Sequence, residues 1–308
     1  MRSSHLKKIA TLSILLALPM SQAFAQTEKR ISLASIITGL PQSTNEAFGM
    51  SFTKDSIPIW AGILGSTALL YHYDEDIYHG GQTLGRRWGL SNKENTRTTV
   101  EVGPYNILRL PTDAASSLYF LGDGWMHGTI AAGFLATGYL SDNTRAVNTG
   151  IEIVHGMVIS TVFSQLLKHA FGRESPSQST EPRGRWRPFP SIKAYNTRTA
   201  EYDAMPSGHV MTATLMFTVV RGNYPELDKY LLPTEVVWLT ALGFGMVNNG
   251  VHWASDYPLG IAIGYVFGKA ALHLADEKKS SGGKEPETSM IFPGYDNQTL
   301  TANWLKRF

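Results

Sequence analysis

The sequence predicts an all-α protein, a helical bundle of about six core helices joined by long polar loops. Apolar stretches near Ile57–Tyr71, Ser117–Leu140, Val147–Lys168, His209–Val220, Thr234–Val247 and Asp256–Ala275 carry small and aliphatic residues at helical spacing. Strand-like alternation is scarce. Polar tracts at 72–115 and 172–205 punctuate the apolar stretches, and the second is rich in Pro, Arg and Ser. A loop that long inside a compact domain usually carries function or is disordered.

Read in order, the chain opens on a basic head (Arg2, Lys7, Lys8), an apolar middle (Ile9 to Met20) and a small-residue site at Ala23-Phe24-Ala25. Residues 1–25 therefore read as a cleavable export leader. Residues 26–115 read as an N-terminal helical and polar extension, and 116–276 as the helical core. Residues 277–308 read as a flexible tail that begins "EKKSSGGKEPE". Its last stretch, "TLTANWLKRF", alternates weakly, and a single strand cannot close a barrel, so surface packing is the expectation.

Composition narrows the classes. The 308 residues contain no cysteine, which removes disulfides and thiolate chemistry. Lys and Arg number 27 against 25 Asp and Glu; without the leader's three basic residues the balance becomes 24 to 25. A near-neutral chain argues against a nucleic-acid or other polyanion binder. A membrane-spanning helix needs roughly 20 mostly apolar residues. Here Asp123, His127, Glu152, His155 and Lys269 interrupt the candidates, and the mean hydropathy is −0.11. Both a bilayer setting and a periplasmic bundle that touches a membrane remain open, the second explaining the charges more simply.

The chemistry concentrates in an ordered set of motifs: "KHAFGRESP" (168–176), "PSGH" (206–209) and "NNGVHWASD" (248–256). Each sits at the end of an apolar helix. Pro206 and Ser207 suit a helix start. Gly208 and His209 add bare amides and a proton donor at the positive helix end, a setting suited to a phosphate oxyanion. His252 and Asp256 are four residues apart at the mouth of the last helix.

With these residues the chain resembles the type 2 phosphatidic acid phosphatase superfamily, which includes lipid phosphate phosphatases, bacterial acid phosphatases and vanadium haloperoxidases. The resemblance covers roughly residues 115–275. It implies that His252 attacks phosphorus, Asp256 orients it and His209 protonates the leaving oxygen. It also implies that Lys168, Ser207 and Gly208 hold the phosphoryl oxygens. The expected substrate is a phosphomonoester or pyrophosphate, a lipid phosphate if the bundle meets a membrane, with no cofactor. The chemistry is sound, since neutral imidazole is a competent nucleophile near pH 7. A second histidine acting as general acid is worth about 10²–10⁴-fold.

Two departures stand out. Ser175 and Gly245-Met246 replace the family's Arg before Pro176 and its Ser-Arg ahead of the nucleophile. Losing one oxyanion donor commonly costs about 10²–10³ in rate. Arg173 is the nearest substitute, with Arg185 and Arg187 as others, and the expectation is that the loop folds Arg187 or a neighbour over the pocket. Asn248 and Asn249 offer neutral donors. The rival reading is therefore a weakly active or non-catalytic phosphate or phospholipid binder. Vanadate-dependent peroxidase chemistry uses the same cage and ranks last.

Metal ligation finds no HExxH or other recognised spacing among the nine histidines. The best cluster, His72, Asp74, Asp76 and His79, reads as a solvated stretch after a helix. His127 and His155 read as core or pocket-rim groups.

Overall fold

A computed structural model describes residues 29–103, 105–280, 289–296 and 299–306. The leader expected at 1–25 lies outside them. The fold is all-α in its body, as the sequence predicts. Besides a single turn at Ser35–Thr38, its α-helices among the described residues are α1 (Leu40–Ser51), α2 (Ile57–Arg87), α3 (Ala114–Phe120), α4 (Gly124–Leu140), α5 (Thr144–Phe171), α6 (Ile192–Thr197), α7 (Gly208–Asn223), α8 (Asp228–Asn248) and α9 (Tyr257–Ser280). Antiparallel hairpins β1–β2 (Thr96–Val102, Tyr105–Pro111) and β3–β4 (Ser289–Asp296, Thr299–Lys306) complete it.

α7 is the central helix. Every residue from Val210 to Val220 is buried, and α9, α5, α8 and α4 all pack on it. No charged residue interrupts Val210–Val220, and a segment so largely apolar on every side favours such burial. α9 lies unusually close because Gly260, Gly264 and Gly268 face α7 at four-residue intervals. A Cβ at Gly268 would lie 2.8 Å from Cβ of Thr218, and one at Gly260 2.7 Å from the Ser207 carbonyl oxygen. These contacts pair the start of α7 with the start of α9 and the end with the end, so the two run parallel. Their positive N-termini emerge together at one end of the bundle.

α5 reaches that end from the opposite direction. Asn143 caps its start by accepting from the Ala146 amide at 3.0 Å. It stops at Gly172, which takes the left-handed conformation with φ 57° and whose missing Cβ leaves room for the Arg187 backbone.

Several expectations need correction. The polar stretch 72–79 belongs to the middle of a 31-residue helix, α2, because Asp74 has buried partners that sequence spacing does not reveal. The rest of the 72–115 tract holds a β-hairpin where short helices were expected. α2 also packs against the segment just before α9. At the C-terminus, "TLTANW" pairs with residues 289–296, supplying the partner strand the sequence reading did not find.

Candidate active site

The motif residues meet where the starts of α7 and α9 and the end of α5 converge. Ser207 caps α7, its hydroxyl accepting from the Val210 amide. Its own amide donates to the Asp256 carbonyl at 3.1 Å, tying the two helix starts together. Gly208 faces Lys168: a Cβ there would lie 3.8 Å from the lysine Nζ. Lys168 is 6% exposed and pairs with Asp203 at 3.4 Å. The rings of His209 and His252 stand 5.8 Å apart, centroid to centroid.

His252 is oriented by the backbone. Its Nδ1 is 2.6 Å from the carbonyl oxygen of Ala204. A carbonyl only accepts, so Nδ1 carries the proton and Nε2 keeps the lone pair. The expected acceptor, Asp256, is 3.7 Å from Nδ1. That is beyond hydrogen-bond distance, and its oxygens are held elsewhere: Oδ2 accepts from the Trp253 amide at 2.8 Å, and Oδ1 faces Arg173.

Arg173 departs furthest from expectation. It is wholly buried and donates to Asp256 at 2.6 Å, Asp74 at 2.8 Å and the Ser255 hydroxyl at 2.7 Å. Tyr71, Trp186 and Trp253 surround the guanidinium. Bound to two carboxylates and enclosed by rings, it is not free to clamp a phosphoryl group.

Three other loop arginines face carboxylates, and Arg183 stacks over the Tyr71 ring. Arg187, expected over the pocket, pairs with Glu174 at 2.6 Å and Glu201 at 3.1 Å. Arg185 faces Glu181, and Arg198 faces Glu201. Burial would raise the Glu174 carboxyl, but bonds from the Thr180 and Arg185 amides and the nearby Arg187 hold it below its ordinary value. The loop is thus ordered by its own charges. Ser175 is buried, Met246 sits in an apolar cluster with Val210, Ala213 and Leu242, and Asn248 and Asn249 are bonded outside the histidine pair.

The electrostatics favour a neutral His209. Burial pushes it well below the ordinary histidine value, and His252, Lys168 and His127 push in the same direction. His127 is itself lowered to about 4 by burial, and neither ring nitrogen has a hydrogen-bond partner among the described residues. His155 is a structural anchor: its ring nitrogens lie 2.9 Å from the Ile36 carbonyl and 2.9 Å from the Ser43 hydroxyl. Among the described residues no group of three or more metal-ligating side chains is assembled.

Sequence reasoning missed Asp74, Ser255, Ala204 and Asp203, whose partners are distant in the chain. It also missed Tyr119, whose ring lies 4.4 Å from that of His209. For these no local signal exists.

Residues 149–280 match the family model described as the PAP2 superfamily. No curated protein matches the chain. A solved structure that does is the crystal structure of the first transmembrane PAP2 type phosphatidylglycerolphosphate phosphatase from Bacillus subtilis. It is 13% identical, with 82% of this chain and 98% of that chain covered and a TM-score of 0.38.

Proposed function

We propose that the protein is an exported phosphatase that hydrolyses a phosphomonoester through a phosphohistidine on His252. The observation that carries this reading is the bond from His252 Nδ1 to the Ala204 carbonyl, which leaves Nε2 nucleophilic beside two helix N-termini. The leader-like residues 1–25 support export. Outward-facing Leu64, Leu69, Val162, Leu166, Val236 and Val237 support contact with a membrane and hence a lipid phosphate as one substrate. Helices Thr144–Phe171 and Pro225–Asn248 are long and apolar enough to cross one, by length and composition.

In the first step the bond from Nε2 to phosphorus forms as the bond to the alcohol oxygen breaks. His209, protonated in the presence of the phosphoryl charge, gives its proton to that oxygen. The imidazolium formed on His252 is stabilised by the Ala204 carbonyl and the carboxylate of Asp256 beyond it. Water then attacks phosphorus and returns a proton to His209, the P–N bond breaks, and inorganic phosphate leaves. Lys168 and the first-turn amides of α7 neutralise the phosphoryl oxygens throughout.

A second reading, phosphate or phospholipid binding with little turnover, is favoured by one observation. Arg173 and Arg187 are engaged in ion pairs, and Ser175 and Met246 supply no charge. Phosphate release from an aryl phosphate and a lipid phosphate, by wild type and His252→Ala, separates the two. Release by wild type alone, with an acid-labile, alkali-stable phosphoenzyme after rapid quench, supports the enzyme. Release that persists in the variant refutes His252 as nucleophile, and retained binding without release favours the binder.

A further inference from the structure

Beside Tyr119, whose ring packs on His209, lies a cavity of ≈ 220 Å3 between the β1–β2 hairpin, α3 and the start of α4. We propose that it receives the leaving alcohol of the substrate and selects one that is uncharged and rich in hydroxyls, a polyol or sugar monophosphate. The inference rests on the phosphatase reading for its chemistry, and on the cavity for its selectivity.

Position comes first. Tyr119 lines the cavity, and its ring lies 4.4 Å from that of His209. The same tyrosine feels the charges of Glu94, Asp123 and Arg109 on the cavity side and of Asp203, the partner of Lys168, on the phosphoryl side. Gly122, whose missing Cβ makes room for the Cβ of His209, directly precedes Asp123. The cavity therefore opens next to His209, the group that hands a proton to the departing oxygen. The part of the substrate attached to that oxygen belongs there.

Chemistry selects the occupant. The wall carries two carboxylates, Glu94 and Asp123, and one guanidinium, Arg109. Its charge is net negative, so the distal phosphate of a pyrophosphate or a carboxylated alcohol would be repelled, while an ammonium, which only donates, would leave the Arg109 guanidinium without an acceptor. Hydroxyls can donate to both carboxylates and accept from Arg109. The Thr96 hydroxyl, also in the wall, is buried and has no hydrogen-bond partner among the described residues. Trp125, 47% exposed at the rim, presents a flat apolar face for the C–H side of a polyol. At about 30 Å3 per water the space equals roughly seven waters, enough for a small polyol or a single sugar ring.

The test compares kcat/KM of the full chain for glycerol phosphate, n-propyl phosphate, ethanolamine phosphate and inorganic pyrophosphate. Glycerol phosphate should exceed n-propyl phosphate by about tenfold or more, the worth of one or two net hydrogen bonds, and should also exceed the other two. In the Glu94→Gln, Asp123→Asn double variant the ratio of glycerol to propyl phosphate should fall towards one. Asparagine keeps the cap on α4 that Asp123 provides, and circular dichroism verifies the fold. Equal use of glycerol and propyl phosphate by wild type, or preference for pyrophosphate or the amino alcohol, overturns the proposal. If wild type hydrolyses nothing, the phosphatase reading fails by itself. Calorimetric binding of glycerol phosphate against propyl phosphate to the His252→Ala protein then decides the cavity: tenfold tighter glycerol phosphate supports it, and equal affinity overturns it.

Discussion

Arg173 Nη1 lies 2.6 Å from Asp256 Oδ1, and neither side chain has any solvent exposure. The same guanidinium holds Asp74 at 2.8 Å, so one cation ties α2, the 172–205 loop and the start of α9 into a single buried knot. Asp256 reaches His252 only as a more distant charge, while the backbone of the loop, through Ala204, sets the imidazole tautomer. Loop and His252 are thus coupled.

Replacing Arg173 with alanine is expected to cost about 3–5 kcal/mol of stability, since it strands two buried carboxylates. Urea denaturation of wild type, Arg173→Ala and Arg173→Lys checks it. A loss below about 1 kcal/mol in the alanine variant would show that the knot is not a buried ion network.

Restoring the family's arginine at Met246 should not restore a clamp. Met246 is wholly buried among Val210, Ala213 and Leu242. A guanidinium there has no carboxylate to meet, and Met246→Arg is expected to destabilise the fold by several kcal/mol. A soluble, equally stable variant with faster phosphate release would contradict this.

Stability should fall in mild acid through His127. Its folded value is about 4, lowered by burial, against about 6.5 when unfolded. Between these values the unfolded chain binds more protons, so stability is complete above about pH 6.5 and declines as pH drops towards 4. The expected loss is roughly 3 kcal/mol. Urea midpoints at pH 7 and pH 4.5 should lie closer together in His127→Leu than in wild type; an unchanged gap would remove His127 as the cause.

The close approach of α7 and α9 is the fourth point of attack. A Cβ at Gly264 would collide with the Met211 carbonyl oxygen and lie 3.0 Å from Cβ of Thr214. Gly264→Val should cost about 1–3 kcal/mol through overpacking. It should also lower kcat by separating the two helix starts, although the residue touches no motif side chain. Thermal melting with parallel kinetics tests this; full activity in a destabilised variant would show that helix spacing does not govern the site.

Much of this was readable in advance, and the unread part has a common cause. Helical periodicity marked the bundle, and PSGH with the His252/Asp256 pair marked where helix starts would meet, because those relations span four residues or fewer. Asp74 looked solvated, since its partners Arg173 and Ser255 are 99 and 181 residues away. The β1–β2 hairpin was hidden in a polar tract whose strands gain their pairing only from each other.

By itself the sequence determined the all-α class and the PAP2-like order of motifs. Tertiary structure decided the assignment of charge. It spent Arg173 and Arg187 on buried and half-buried carboxylates, gave His252 a carbonyl partner, and set a hydroxyl-bearing cavity beside His209. The physical reason is that a local pattern specifies periodicity and capping, which are short-range. Ion pairs and pockets depend on which distant segments share an interior, and only the packed chain establishes that.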